Sequence, residues 1–532
     1  MERHFACFGS SGSGKTVACK AMIEEMARSG IPVIAFDPQG DIASLGIHEK
    51  ESVVRDAGTD PKIREDYVNN VEVVVWTPGS TKGMPLSLNP FRFDGTKVLS
   101  EEDRTNYFSS TAKNIIGLIG YDPETDEGKS NETLLSIIFD HCVQSGTALK
   151  NFSDLIVILE NIPEKINTTI STISDKRSIS GLVKKLSLLT LGSRKFLFQN
   201  GVPLDINVLM GKDESSDKTR ISVIYLNCLN SSREKEFFVS EVIRSLYHWM
   251  LLNPIQTKDS QIQCAMFIDE IAPYIPPVKV PASKENLELL FRQGRKYGVS
   301  NLIATQSPGD IDYKAIGQFS TLIIGTLNTK QDIEKIKKRL ESLAPNEVGS
   351  IIQRIPSLKP GEFIVVSPGA YSQAQTINVR WLVTEHRVIP ETKLKHIIPN
   401  NLLDFYKDKV LDNDHGQDEK TQDQNISSNK ISKSDHVVVV ENNIFERDLV
   451  SKVSPHLSGR FFKKERLVGT VFKYIPIIRV KLTFEDKKGL FKKTISKIDE
   501  NLYLDYKSYN LFYAEDNIFK FSPIVDADPN EI

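Results

Sequence analysis

Short apolar segments rich in Val, Ile and Phe alternate with helical segments between His4 and Val383. This alternation is typical of a mostly parallel β-sheet covered by helices, because strands that are buried on both faces read as continuous apolar runs. The sequence therefore predicts an α/β fold. The predicted strands are residues 4–8, 32–36, 71–76, 221–226, 265–268, 302–305, 322–324 and 363–366.

The hydrophobic pattern changes along the chain, and each change predicts a separate region. Within an α/β domain spanning residues 1–400, residues 99–195 read as helices without a clear strand, which predicts a helical insertion. Residues 412–435 are rich in Asp, Gln, Asn, Ser and Lys, which is typical of a flexible linker. Alternating apolar positions return in residues 437–532 and predict a small β-rich C-terminal domain.

The overall composition is that of an ordinary soluble globular protein. Of the 532 residues, 40% are hydrophobic and 26% are charged, and the formal net charge is −2. A nucleic-acid partner would therefore have to bind a local basic patch. The five cysteines include no C-x-x-C pair, which favours neither a zinc site nor a disulfide framework and fits a reducing cytoplasm. No apolar run approaches the ~18 residues of a membrane span, so none is predicted.

A complete phosphate-binding loop follows the first predicted strand and precedes a predicted helix at residues 17–28. Its glycines allow a tight turn whose N–H groups face phosphate oxygens, and the helix adds the positive end of its dipole. Lys15 is expected to reach the β- and γ-phosphates, and the Thr16 hydroxyl to bind Mg²⁺. The predicted nucleotide-binding residues are Gly9, Ser10, Ser11, Gly12, Ser13, Gly14, Lys15 and Thr16.

A second element is an apolar strand that ends in two carboxylates, Asp269 and Glu270. Asp269 is expected to hold Mg²⁺ through its water shell, which makes Thr16 and Asp269 the predicted metal residues. Glu270 is expected to orient or deprotonate the attacking water. Together with the loop, these residues predict ATP and Mg²⁺ as cofactors and ATP hydrolysis as the reaction.

Three further polar segments lie at or between the predicted strands. Gln306 follows the strand at residues 302–305 and could sense the γ-phosphate or position water. Residues 37–41, with the sequence Asp-Pro-Gln-Gly-Asp, fit either a functional loop or a simple turn. Arg292 and Arg295 could belong to a solvated helix end, or one of them could stabilise the γ-phosphate charge of a neighbouring subunit. Spacing leaves both interpretations open.

The order of the motifs resembles the HerA and FtsK branch of P-loop ATPases, and most closely the HerA-type ATPases. The motifs are residues 9–16, 37–41, 75–80, 267–270, 294–298 and 304–308. The resemblance implies a RecA-like fold, a homo-oligomeric, typically hexameric ring and ATP-driven movement along double-stranded DNA. It also implies that Gln306 is a sensor residue and that Arg295 is the arginine finger, with Arg292 as the substitute.

The chain also departs from the HerA pattern. HerA-type proteins usually carry a β-barrel before the phosphate loop, but here the loop begins at Gly9. The chain is therefore expected either to be a fragment or to lack that barrel, which bears on the docking of a partner nuclease or another protein. In the C-terminal domain, residues 460–497 hold 12 Lys and Arg against 3 Asp and Glu. This stretch could bind nucleic-acid phosphates or be a solvated face.

Three functions remain open from the sequence. The first is a DNA translocase or helicase-type ATPase. The second is an ATPase that energises protein or DNA transfer through a secretion or conjugation apparatus. The third is a nucleotide-gated interaction module, although Glu270 argues against it, because a switch that never hydrolyses ATP does not need that carboxylate.

Overall fold

The computed structural model describes residues 4–93, 96–199, 201–255 and 262–412, together with five short strands between residues 472 and 520. The chain divides into two compact units, Met1–Glu419 and Lys420–Ile532. None of the helices in the described ranges is long and apolar enough to cross a lipid bilayer.

An eleven-stranded sheet forms the centre of the first unit. Its strands are β1 (Phe5–Phe8), β2 (Val33–Asp37), β3 (Val71–Pro78), β4 (Met84–Ser87), β5 (Val202–Pro203), β6 (Thr219–Tyr225), β7 (Cys264–Ile268), β8 (Val299–Thr305), β9 (Thr321–Ile324), β10 (Glu362–Val366) and β11 (Gln375–Asn378). The order across the sheet is β11-β10-β9-β1-β8-β7-β2-β6-β3-β4-β5. Strands β1 to β9 pair in parallel, and β10 is antiparallel to both β9 and β11.

The central strands owe their position to their apolar sequences. Strands β2, β3, β7 and β8 are buried along their whole length, as expected for parallel strands covered on both faces. Each of the eight predicted strands is present within a few residues, so the predicted α/β class with a mostly parallel sheet is confirmed. Strands β4, β5 and β11 were not predicted. Strand β5 has only two residues, and β11 is exposed and polar, so neither shows a hydrophobic pattern.

Sixteen helices accompany the sheet in the described part of the first unit. They are α1 (Lys15–Arg28), α2 (Glu51–Asp56), α3 (Pro61–Asn70), α4 (Glu101–Leu118), α5 (Asp126–Ser145), α6 (Phe152–Glu160), α7 (Glu164–Ile173), α8 (Lys176–Ser187), α9 (Phe196–Gln199), α10 (Ile206–Leu209), α11 (Ser232–Leu252), α12 (Ala282–Gln293), α13 (Tyr313–Ile316), α14 (Lys330–Leu343), α15 (Val348–Arg354) and α16 (Asn400–Asp412). Helix α1 contacts β1, β2, β6 and β8. Helices α4 to α9 follow one another without an intervening strand, in the region where the helical insertion was expected.

A buried ion pair ties helix α16 to the sheet. Arg220 on β6 donates to the Glu72 carboxylate on β3 over 2.6 Å and to the Tyr406 hydroxyl on α16 over 2.6 Å. The Arg220 side chain is fully buried and that of Glu72 is 3% exposed. Because an unpaired buried charge is very costly, this contact fixes the last helix of the unit against the sheet.

The described strands of the second unit form a separate antiparallel sheet. They are β12 (Phe472–Ile475), β13 (Ile477–Lys481), β14 (Asn501–Asp505), β15 (Asn510–Glu515) and β16 (Ile518–Lys520), and each pairs with the next in sequence. Nearly all of the linker expected at residues 412–435 lies outside the described residues.

Candidate nucleotide-binding site

The candidate site lies where the carboxyl ends of β1, β2, β7 and β8 meet. These strands are neighbours in the order β1-β8-β7-β2, and all four run in the same direction. Residues that directly follow parallel strands share one edge of the sheet, where ligands of α/β proteins usually bind. The phosphate loop, Asp37, Asp269 and Gln306 are therefore brought to the same edge.

Two glycines give the phosphate loop its shape. Gly12 and Gly14 have φ angles of 80° and 86°, in the left-handed region that other residues rarely adopt. A side chain at Gly14 would also meet the backbone nitrogen of Gly361 at 3.0 Å. The backbone of Gly361 in turn donates to the Ser13 carbonyl over 2.9 Å, and the Ser10 N–H donates to the Thr326 carbonyl over 2.8 Å. The loop is thus held from the β9–β10 side.

The loop leads directly into α1, whose first residue is Lys15. The unpaired N–H groups and the positive dipole end of this helix therefore face the loop, which is a favourable setting for phosphate. Thr16 is half-buried at the second helical position. Within the described part of the chain, the buried Ser13 hydroxyl has no hydrogen-bond partner. A loop without side chains at Gly12 and Gly14, and with an unmatched hydroxyl, fits a polyphosphate.

Lys15 and Asp269 form a buried ion pair. The Lys15 ammonium lies 3.0 Å from the Asp269 carboxylate, and the two side chains are 6% and 2% exposed. Burial lowers the pKa of Lys15, but the surrounding groups, first among them the Asp269 carboxylate, together hold the pKa above its ordinary value. Lys15 is therefore a permanent cation beside a carboxylate that follows the end of β7.

Glu270 is held by the end of the neighbouring strand β8. Its backbone adopts φ 60°, an unusual left-handed conformation for a residue with a side chain. The Thr305 hydroxyl donates to one carboxylate oxygen over 2.6 Å, and the Gln306 N–H donates to the other over 3.1 Å. The structure therefore brings Glu270 and Gln306 together.

Thr305 was not predicted as a site residue. It is the last residue of β8, and its side chain is fully buried. The available signal was a polar residue closing an apolar strand beside Gln306, which is a common pattern at strand ends.

Asp37 and Asp41 place two more carboxylates near the ion pair. Burial, followed by the charge of Asp41, raises the pKa of Asp37 to about 7. The Asp37 carboxylate accepts from the N–H groups of Gly40 and Ala43, so it shapes the turn at residues 37–41. Burial, and then the charge of Asp269, raises the pKa of Asp41 as well. Both interpretations of residues 37–41 therefore have support: the segment is a hydrogen-bonded turn, and its two carboxylates lie beside the candidate site.

Arg295 and Arg292 lie away from the phosphate loop of their own chain. Both are exposed; Arg292 is near the end of α12, and Arg295 lies in the turn that precedes the amino end of β8. Burial lowers the pKa of His4, at the amino end of β1, to about 4, and the charge of Arg295 contributes. A strand the length of β8 spans about 20 Å, so Arg295 is at the opposite edge of the sheet from Glu270. The structure does not bring either arginine to the site within one chain.

The oxygen groups at the site suit Mg²⁺. This ion prefers oxygen ligands in octahedral geometry and is commonly bound through one or two carboxylates together with substrate phosphates. The Thr16 hydroxyl and the Asp269 carboxylate supply such groups at the amino end of α1 and the end of β7. The residues present therefore fit a magnesium–nucleotide complex.

Residues 1–246 match the profile of the family described as Helicase HerA, central domain. This match covers 246 of the 532 residues, so this part of the chain is similar to a HerA central domain. The HerA-type match includes the phosphate loop and residues 37–41 and 75–80, but it ends before β7. The assignments of Asp269, Glu270 and Gln306 therefore depend on the geometry of the sheet.

Comparison with individual proteins gives distant similarities. The chain is 22% identical over 366 residues to the probable helicase MJ1565 of Methanocaldococcus jannaschii, covering 69% of this chain and 60% of that protein. The structural alignment with VirB4 of Thermoanaerobacter pseudethanolicus covers 71% of this chain and 89% of the VirB4 chain, with 15% sequence identity and a TM-score of 0.47. The structural alignment with the plasmid coupling protein TrwB in complex with ADP and Mg²⁺ covers 73% of this chain and 87% of the TrwB chain, with 12% sequence identity and a TM-score of 0.45.

Proposed function

We propose that this HerA-like chain hydrolyses ATP with Mg²⁺ and uses the energy to move double-stranded DNA, working as a homo-oligomeric ring. We assign the ATPase to residues 1–400, with residues 99–195 as a helical insertion. The observation that carries the proposal is the convergence of Lys15, Asp269 and Glu270 at one edge of the sheet. The 3.0 Å pair between Lys15 and Asp269 joins the phosphate loop to β7. The two hydrogen bonds to Glu270 join β7 to β8.

In the proposed reaction, the backbone N–H groups of the loop and the amino end of α1 bind the phosphates of ATP. Lys15 exchanges its bond with Asp269 for the β- and γ-phosphate oxygens, which frees the Asp269 carboxylate from its lysine partner. Mg²⁺, held by Thr16 and Asp269, would neutralise charge on the phosphate oxygens. The ion pair between Lys15 and Asp269 would therefore form only while nucleotide is absent.

Glu270 serves as the residue that orients the attacking water and accepts its proton. The water oxygen forms a bond to the γ-phosphorus, and the bond from phosphorus to the bridging oxygen breaks, so that ADP and phosphate leave. Gln306 lies beside Glu270 and is proposed to sense the γ-phosphate. The Gln306 N–H donates to the Glu270 carboxylate, so a movement of one residue would displace the other.

The position of Arg295 suggests why catalysis would require assembly into the proposed ring. Arg295 is exposed at the sheet edge opposite its own phosphate loop. An arginine there could stabilise the γ-phosphate charge only in an adjacent subunit, as arginine fingers supplied in trans do. The site would then be completed by a second copy of the chain.

Duplex DNA is the proposed substrate, because a HerA-type central domain and the probable helicase MJ1565 match this chain. The chain spans about 60% of the length of that relative. The test is the steady-state ATPase rate with and without duplex DNA at two salt concentrations, with Lys15→Ala as the inactive control. The expected result is a higher rate with DNA that falls as salt increases, because phosphate contacts release counterions. An ATPase rate that DNA does not change would contradict the DNA proposal. It would favour an ATPase that energises transfer through a secretion or conjugation apparatus.

A further inference from the structure

Thr305 connects two parts of the proposed site that are far apart in sequence. Its hydroxyl donates to the Glu270 carboxylate over 2.6 Å and accepts from the Ser307 N–H over 3.1 Å. Its carbonyl accepts from the N–H of Gly9, the first residue of the phosphate loop, over 3.3 Å. The Thr305 side chain is fully buried, and its partners Glu270 and Ser307 are half-buried.

The end of β8 holds Glu270 at three points. The Thr305 hydroxyl and the Gln306 N–H bind the two carboxylate oxygens, and the N–H of the next residue, Ile271, donates to the Ala304 carbonyl over 2.9 Å. The left-handed backbone of Glu270 is unfavourable for a residue with a side chain. Such a conformation persists only where its surroundings hold it, and it often marks a functional site.

We propose that Thr305 is a positioning residue of the ATPase site, whose hydroxyl sets the Glu270 carboxylate at a defined place relative to Gly9 and the phosphate loop. The inference rests on the proposed ATP hydrolysis at Glu270. A hydrogen bond from a hydroxyl to a carboxylate is short and strong, and it fixes direction as well as distance. A water-orienting group that is misplaced by about 1 Å loses up to 100-fold in rate, so a fixed carboxylate matters for the chemical step and not for nucleotide binding.

Two pairs of variants separate the hydroxyl from the bulk of the side chain. Thr305→Val keeps the shape and removes the hydroxyl, whereas Thr305→Ser keeps the hydroxyl and removes a methyl group. Thr305→Ser and Thr305→Ala both lack that methyl group and differ only in the hydroxyl. The second pair gives the same comparison if Thr305→Val does not fold, which a thermal melt would reveal.

The measurement is kcat and KM for ATP, with the affinity for a fluorescent non-hydrolysable ATP analogue as a binding control. Loss of the hydroxyl is expected to lower kcat about tenfold or more, the scale found for groups that orient other site residues, with KM and analogue affinity unchanged. Thr305→Ser should retain at least about half of the wild-type kcat, in keeping with its retained hydroxyl. A kcat of Thr305→Val close to that of the wild type would overturn the inference, as would equal losses in Thr305→Ser and Thr305→Ala.

A double-mutant comparison tests whether Thr305 acts through Glu270. In a Glu270→Gln background, Thr305→Val should change the residual rate by less than about twofold, because the group it positions has already been disabled. A full tenfold loss in that background would contradict the inference. Wild-type hydrolysis that Glu270→Gln abolishes but Thr305→Val spares would overturn the Thr305 inference alone. Absence of wild-type hydrolysis would overturn the proposed function and the inference with it.

Discussion

Replacing Gly14 with alanine should disturb the phosphate loop more than the same change at Gly12. Both residues have left-handed backbones, with φ 86° and 80°. A Cβ at Gly14 would lie 3.0 Å from the Gly361 nitrogen and 3.3 Å from its Cα, whereas a Cβ at Gly12 would meet nothing within 4 Å. Gly12→Ala is therefore a matched control that carries the backbone strain without the collision.

The expected magnitudes follow from these two contributions. A non-glycine residue in the left-handed region costs about 1–2 kcal/mol, and this cost applies to both variants. Overpacking against a fixed backbone adds about 1–3 kcal/mol, and this cost applies to Gly14→Ala alone. Gly14→Ala should therefore lower the free energy of unfolding by about 2–5 kcal/mol and Gly12→Ala by about 1–2 kcal/mol.

Urea unfolding followed by tryptophan fluorescence measures this difference in the first unit, because all three tryptophans, Trp76, Trp249 and Trp381, lie within it. The free energies are compared from the midpoints and slopes of the curves. Equal losses in the two variants would refute the claim that the Gly361 backbone closes around the loop. A wild-type stability for Gly14→Ala would refute the loop conformation itself.

Three further changes test other parts of the structure. Arg220→Met should destabilise the first unit by about 3–5 kcal/mol, because it leaves the Glu72 carboxylate buried without its partner; a loss below about 1 kcal/mol in urea unfolding would contradict the buried pair. The raised pKa of Asp37, about 7, means that the folded state holds a proton that the unfolded state has released, so this group lowers stability as pH rises from about 4 to 7. The melting temperature of Asp37→Asn, relative to that of the wild type, should therefore rise between pH 5 and pH 8. A difference in melting temperature that stays constant over this range would count against the raised pKa of Asp37. Mixing Arg295→Ala with Lys15→Ala subunits should restore part of the ATPase rate if the arginine acts in trans, and no recovery would count against that role.

Much of the fold was predictable because the central strands are continuous apolar runs. Strand β7, with the sequence Cys-Ala-Met-Phe-Ile, is buried at every position, so its pattern and its structure agree. Strand β11, with the sequence Gln-Thr-Ile-Asn, is exposed at every position and pairs only through its backbone with β10. Nothing in its side chains distinguishes it from a loop, so hydrophobic patterning could not find it.

The site was predictable at its strand ends but not in its contacts. The phosphate loop, Asp269 and Glu270 were visible because each follows an apolar strand. The bond between Glu270 and Thr305 depends on the register of β7 and β8, in which Ile268 pairs with Ile303, and no pattern in a single sequence specifies a register between strands. Arg295 lies between these strands in sequence, yet α12 separates it from the site by carrying the chain back to the other edge of the sheet.

Glu270 is proposed to activate the water that attacks ATP at the loop built around Lys15. The most direct measurement is the single-turnover rate of ATP hydrolysis by wild type and Glu270→Gln, with nucleotide binding measured on the same samples. Glu270→Gln should bind ATP as tightly as the wild type and hydrolyse it at least about 100-fold more slowly, the contribution typical of a positioned general base. Equal hydrolysis rates with intact binding would contradict this role of Glu270.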